Sequence, residues 1–149
     1  MPTIAVNKQA LHDHDILQKF EAGLVLSGQE VKSVRAGHVS LKAAYATIHD
    51  GQVQLTNAHI SPYPNAHVGR DYDPTRSRTL LLSKKEIARL IGQLQQKGLT
   101  LLPLSLYTRG SRIKVELGLG RGRKQFEKRE LLKKRAVTRE IRHELKRGS

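Results

Sequence analysis

The chain contains no cysteine. This excludes a disulfide framework, a thiolate zinc site, an iron–sulfur cluster and a cysteine nucleophile. Tryptophan is absent as well, and the 149 residues hold only four tyrosines and two phenylalanines. Any core is therefore aliphatic and modest in size. Apolar runs stop after three or four residues, far short of the roughly 20 that span a bilayer. The opening MPTIAVNKQA has no long apolar stretch, so no secretory signal is expected. Negative charge is also scarce: 13 Asp and Glu stand against 27 Lys and Arg, a net charge of +14. These features predict an intracellular protein attracted to polyanions, nucleic acid before an anionic membrane.

The positive charge is uneven. From Arg121 to Ser149 there are 12 Lys and Arg against 4 Asp and Glu, a net +8. This divides the chain into a body, residues 1–120, and a basic C-terminal tail, residues 121–149. The tail has few apolar residues, so it is expected to be disordered alone and helical when bound. Val137, Ile141 and Leu145 step by four and would form a thin apolar seam on such a helix.

In the body, residues 1–19 read as a polar stretch and Phe20–Leu26 as a strand ended by Ser27-Gly28. Gln29–Gly37 reads as a short helix with Gly37 as its stop. Lys42–His49 and Gln52–Ile60 flank Asp50-Gly51, a pair suited to a two-residue hairpin turn. Residues 65–78 read as a loop and Thr79–Leu82 as a short strand. Lys84–Lys97 is the clearest helix. Ser83 and Glu86 form a capping box, Ile87, Leu90, Ile91 and Leu94 share one face, and Gly98 ends it. Leu99–Thr108 and Ser111–Leu119 form a second hairpin around Arg109-Gly110. The expected fold is mainly β: an OB-like antiparallel β-barrel, closed or partly open, with helices outside it.

Some residue clusters suggest chemistry. The glycines Gly118, Gly120 and Gly122 lack the strand–loop–helix setting of a nucleotide loop and read instead as a flexible hinge between barrel and tail. His12-Asp13-His14-Asp15 has metal-ligand residue types but no further ligands nearby, so it reads as a solvated turn or helix start. Tyr45 and Tyr107 suit either base stacking or core packing, whereas Phe126 stands alone among tail cations. No HExxH, nucleophile elbow or Walker A occurs. Neither a catalytic residue, a metal site nor a cofactor is expected.

Several blocks coincide with a known family: Asn7–Asp13, EAGLVLSGQEVKSVRAGHVSLKAAYA (Glu21–Ala46), NAHISPY (Asn57–Tyr63), DPTRSRTLLLSKKEI (Asp73–Ile87), GLTLLPLSLY (Gly98–Tyr107) and GRKQFEKR (Gly122–Arg129). Over nearly its whole length the chain resembles the bacterial SsrA-binding proteins, or small protein B family. The resemblance implies an OB-type barrel with three helices and a basic tail. It also implies a non-enzymatic, cytoplasmic accessory factor of trans-translation. Such a factor binds the tRNA-like domain of transfer-messenger RNA and accompanies it to stalled ribosomes. Its implied partners are that RNA and the ribosome, at the small-subunit RNA, decoding centre and vacant mRNA channel. Elongation factor Tu and alanyl-tRNA synthetase would be met through the RNA, and no membrane is involved.

Residue by residue, the resemblance puts RNA binding on Asn7, Lys8, His12, Glu21, Leu90 and Lys114. It puts ribosomal contacts of the tail on Gly122, Arg123, Lys124, Phe126, Glu127, Lys128 and Arg129. Arg123 and Glu127 replace the family's usual Lys and Asp, while Phe126 keeps a ring where relatives often have Tyr or His. By chemistry alone, Lys8 and Lys114 suit phosphates, and Asn7 and His12 suit bases or 2′-hydroxyls. Leu90 reads first as core, and Glu21 as an orienter of a basic neighbour. Composition alone also fits a structural ribosomal protein with a basic extension.

Overall fold

A computed structural model of the chain describes residues 2–63, 72–96 and 98–123. Nine strands and three helices lie among the described residues, in the order β1 (Thr3–Val6), α1 (Lys8–Asp13), β2 (His14–Leu24), α2 (Gly28–Arg35), β3 (Val39–Ser40), β4 (Tyr45–His49), β5 (Gln52–Thr56), β6 (His59–Ile60), β7 (Arg78–Leu81), α3 (Lys84–Leu94), β8 (Leu99–Arg109) and β9 (Arg112–Gly122). Seven strands form one antiparallel sheet in the order β1-β8-β9-β2-β7-β5-β4, and β3 pairs with β6. The sheet curls until β4 lies against β8. No ladder joins its edge strands β1 and β4, so the OB-like barrel is open.

Local chemistry sets several boundaries. Asp50 and Gly51 both take positive φ, 50° and 75°, as the tight turn between β4 and β5 requires. Ser83 and Glu86 cap α3 reciprocally, and Ser27 and Glu30 cap α2 in the same way. The second box moves the start of α2 ahead of Gln29. Gly37, at φ 85°, returns the N–H groups of residues 37 and 38 to the carbonyls of Val34 and Ser33 and closes the helix.

One expectation about the N-terminal region changes. Residues 3–19 contain a strand, a helix and half of β2 rather than an irregular polar stretch. The register of β2 against β9 shifts between Ile16 and Gln18. This bulge breaks the apolar–polar alternation that marks a strand in sequence, and it leaves Leu17 exposed.

The main core lies inside the curl. Val53, Leu55, Leu106, Val115 and Leu117 are fully buried there with Leu90 of α3. On α3, Ile87 and Leu94 flank Leu90, whereas Ile91 falls outside the apolar stripe at 40% exposure. A second, smaller cluster sits on the opposite face of the sheet, where Ala10 and Leu11 of α1 meet Ile16, Leu102 and Leu104.

That smaller cluster overturns the hinge reading of the glycines. Gly118, Gly120 and Gly122 lie in β9, paired with Lys19, Ile16 and His14 of β2. A Cβ on Gly118 would stand 2.6 Å from Leu104 Cδ1, and one on Gly120 would stand 3.1 Å from His14 Cβ. Glycine suits these two positions because side chains of the neighbouring strands, Leu102 and Leu104 of β8 with His14 and Ile16 of β2, close over β9 there. The strand runs through Gly122, so the barrel extends two residues past 120. Residues 124–149 lie outside the described residues.

Candidate nucleic-acid interface

On β9, Ile113, Val115, Leu117 and Leu119 face the main core, so Lys114, Glu116, Gly118 and Gly120 face the other way. That outer face has two halves. α1 covers the end at Gly118 and Gly120. The end toward the β8–β9 turn stays open and carries Lys19, Glu21 and Gly23 from β2, Lys114 and Glu116 from β9, and Tyr107 and Arg109 from β8. A groove of about 400 Å³ opens there among Thr3, Lys19, Glu21, Ser105, Tyr107 and Glu116.

Glu21 organises this half. It accepts a short hydrogen bond from the Tyr107 hydroxyl, and Arg109 Nη1 reaches both carboxylate oxygens at 2.9 and 3.0 Å. The Tyr107 bond, against an opposing effect of burial, and then Arg109 hold the Glu21 carboxyl below its usual pKa; the charge of Lys114 adds to this. Burial first, and then the Glu21 bond, push the Tyr107 phenol well above its usual pKa. Lys19 pairs loosely with Glu116 at 3.8 Å. Lys114 lies beside Gly23, where a Cβ would stand 3.8 Å from its Nζ. Its ammonium makes no close ion pair among the described residues and acts on Glu21 through its charge at longer range.

The other predicted residues separate into exposed and structural ones. Lys8, exposed at the start of α1, faces Lys42 across a groove of about 400 Å³ lined by β1, α1 and residues 39–42. His12 is half-buried, with Nδ1 2.9 Å from Asp13 Oδ1. Asn7 is the N-cap of α1: its Oδ1 accepts from Ala10 N at 3.1 Å and its Nδ2 donates to the Pro103 carbonyl at 3.0 Å. Asn7 is also 5% exposed. Its amide therefore holds α1 on β8. Leu90 is fully buried in the main core, so it supports α3 and presents no surface to a ligand.

Gly122 is the last residue of β9, and Arg123 follows it. Arg123 N donates to the Asp13 carbonyl at 2.8 Å, its Nε to Asp15 Oδ1 at 2.9 Å, and its Nη1 reaches the His12 carbonyl at 3.5 Å. The chain thus leaves the barrel against α1. Lys124, Phe126, Glu127, Lys128 and Arg129 lie outside the described residues. In the His12–Asp15 run, His14 Nδ1 bonds the Ala10 carbonyl, and Asp15 takes Arg123. Tyr45 is exposed on edge strand β4 and Tyr107 is bound to Glu21, so neither belongs to the core.

Two parts of the charge network escape a reading by sequence. Tyr107 and Arg109 occupy alternate positions of β8, and that spacing is the signal placing them on one face. Their tie to Glu21 spans 86 and 88 residues and leaves no local mark. The second part is the cluster of Glu30, Arg76 and Arg78, whose only local sign is the capping box of α2.

The chain compares closely with known proteins. The model of the SmpB protein family matches residues 4–147. A protein of Microcystis aeruginosa named SsrA-binding protein is 51% identical over 144 residues, covering 97% of this chain and 94% of the relative. Its namesakes in Synechocystis and Coxiella burnetii are each 49% identical over 144 residues, covering 97% of this chain and 94% and 91% of the relatives. A solved structure described as tmRNA–SmpB at the centre of the bacterial ribosome is 46% identical, with a TM-score of 0.66, covering 80% of this chain and 84% of that one. Matched in sequence from residue 4 to residue 147, and in fold to a solved relative, the chain belongs to the SmpB protein family.

Proposed function

We propose that the protein is a non-catalytic RNA-binding factor of ribosome rescue. It binds the tRNA-like domain of transfer-messenger RNA and brings it to stalled ribosomes, where the basic tail occupies the vacant mRNA channel and decoding centre. The observation that carries this reading is the identity of about half of all residues, over nearly the whole chain, with proteins named SsrA-binding protein.

Surface chemistry supports a division of labour on one side of the sheet. Lys114, without a close ion pair among the described residues, and Lys8, exposed on α1, neutralise phosphates. Arg109 and Tyr107, fixed by Glu21, offer a guanidinium edge and a ring to the same RNA. His12 lies next to the start of the tail, where Arg123 reaches its carbonyl, and its imidazole hydrogen-bonds RNA. Asn7, Glu21 and Leu90 act indirectly, by holding α1, the Tyr107–Arg109 pair and α3 in place. Arg123 fixes the point from which Lys124, Phe126, Glu127, Lys128 and Arg129 proceed toward the decoding centre. Each charged group of this surface has a binding or bracing role, and none is assigned bond-making chemistry. Elongation factor Tu and alanyl-tRNA synthetase are met through the RNA, in the cytoplasm. No described helix is long and apolar enough to cross a membrane.

The test is equilibrium binding of the tRNA-like domain across a salt series. Lys8→Ala and Lys114→Ala should each lower the slope of log K against log salt by about 0.7 to 0.9; unchanged slopes reject this surface. Truncation after Lys124 should spare most of the affinity and abolish peptide tagging on stalled ribosomes. Loss of both together would make the tail part of the RNA clamp instead.

A further inference from the structure

A second charged cluster joins α2 to β7 and the turn before it: the Glu30 carboxylate is gripped by two arginines from the DPTRSR segment. Arg78 Nε donates to Glu30 Oε2 at 2.8 Å, and neither side chain has any exposed surface. The remaining donors of Arg78 are taken by the carbonyls of Ala58 at 2.7 Å and Pro74 at 3.0 Å. Glu30 and Arg78 therefore already form a neutral, fully hydrogen-bonded buried pair.

Arg76 is added to that pair. Its Nε donates to Glu30 Oε2 at 3.1 Å and its Nη2 makes a short bond to Oε1. Ser27 N also donates to Oε1, at 3.0 Å. One carboxylate now faces two guanidiniums, which leaves a surplus of one positive charge. Arg78 cannot display it, but the Arg76 side chain is 43% exposed. Arg76 helps Arg78 and Ser27 N to keep Glu30 ionised against burial, and the surplus charge of the three side chains falls on its partly exposed guanidinium.

The geometry of Arg76 suits an anion. Its Nε–Nη2 edge is spent on Glu30, which leaves the Nη1–Nη2 edge, where the single contact among the described residues is a long one, 3.4 Å to the Ser77 carbonyl. Asp73 braces the turn beneath it, since Oδ1 accepts from Thr75 N at 3.0 Å and from Thr75 Oγ1 at 3.1 Å. Tyr72 donates to the Ile60 carbonyl at 2.7 Å, which holds its ring in the field of the same three charges. A guanidinium immobilised in this way has lost its rotamer freedom before a ligand arrives, and its planar fork matches a phosphate.

We propose that Arg76, anchored by Glu30, is a preformed phosphate-binding arginine that takes an RNA backbone phosphate, in addition to the contacts made by the β2–β9 face. This rests on the RNA-binding reading above. The phosphate belongs either to the tRNA-like domain or to ribosomal RNA, and the two arms of the test separate them.

Full-length wild type and Arg76→Ala are titrated across a potassium chloride series, once with the tRNA-like domain and once with vacant small ribosomal subunits. For whichever RNA Arg76 touches, the salt slope should fall by about 0.7 to 0.9 and the affinity by about tenfold. Glu30 keeps Arg78, so the variant should still unfold cooperatively. A folded variant with unchanged slopes in both arms overturns the proposal. If Arg76→Ala does not fold, phenylglyoxal labelling of the wild type decides: RNA should shield Arg76 from modification, and equal labelling with and without either RNA overturns the site. Lys114→Ala and an unrelated RNA of equal length serve as controls. A wild type without preference for the tRNA-like domain defeats the RNA-binding reading, whereas unchanged Arg76 slopes beside a lowered Lys114 slope defeat only this site.

Discussion

The Tyr107 hydroxyl donates to the Glu21 carboxylate across the width of β9, the strand that separates β8 from β2. Both groups respond in their titration. Glu21 is held below its ordinary pKa of 4.5, and Tyr107 is raised above its ordinary 10.0. In an alkaline titration followed by the ultraviolet absorbance of tyrosinate, Tyr107 should be the last of the four tyrosines to ionise. Tyr107→Phe should remove that late phase. The raised phenol also fixes the sign of the stability change. The unfolded chain loses the proton first, so this contribution is complete below about pH 10 and declines as pH rises further. In Tyr107→Phe the alkaline decline should be shallower.

Glu30 sets the behaviour in acid. Burial raises its pKa, but Arg76, Ser27 N and Arg78 together outweigh burial and lower it from 4.5. Its contribution is therefore present above the unfolded value and is lost as pH falls through the lower folded one. Urea melts of the wild type should show falling stability below about pH 4.5. Glu30→Ala leaves a buried guanidinium unpaired and should cost about 3 to 5 kcal/mol at neutral pH. A loss under about 1 kcal/mol, the net worth of an ordinary hydrogen bond, would mean that Arg78 finds other acceptors.

Gly118 and Gly122 provide a paired test of the packing over β9. Gly118→Ala drives a Cβ into Leu104 at 2.6 Å and should destabilise the protein by about 1 to 3 kcal/mol. Gly122→Ala meets nothing within 4 Å and should stay within about 0.5 kcal/mol of wild type. Equal effects in denaturant melts would argue against Leu104 and Ile16 packing closely over Gly118.

Leu90 should behave as core. Leu90→Ala is expected to cost about 2 to 5 kcal/mol, and RNA affinity should fall only as far as the folded fraction falls. Binding measured at low temperature, with the variant fully folded by circular dichroism, should return to near the wild-type value. A large affinity deficit in the folded variant would place Leu90 in the contact.

Much of this protein was legible from its order of residues. Capping boxes, the Asp50-Gly51 turn, the period of α3 and the crowding of cations after Arg121 are local features, governed by neighbours a few residues apart. The blocks that mark the family are equally a property of the chain alone. Tertiary structure decided what those residues are for. Asn7 caps α1 and bonds to β8, Leu90 lies in the core, and Gly118 and Gly120 are strand positions overlaid by β8 and β2 side chains rather than a hinge. Glu30 met Arg76 and Arg78 across 46 and 48 residues, and Asp15 met Arg123 across 108. Such pairings follow from strand register, bulges and the curl of the sheet. These place distant side chains within hydrogen-bond reach, and no pattern of near neighbours encodes them.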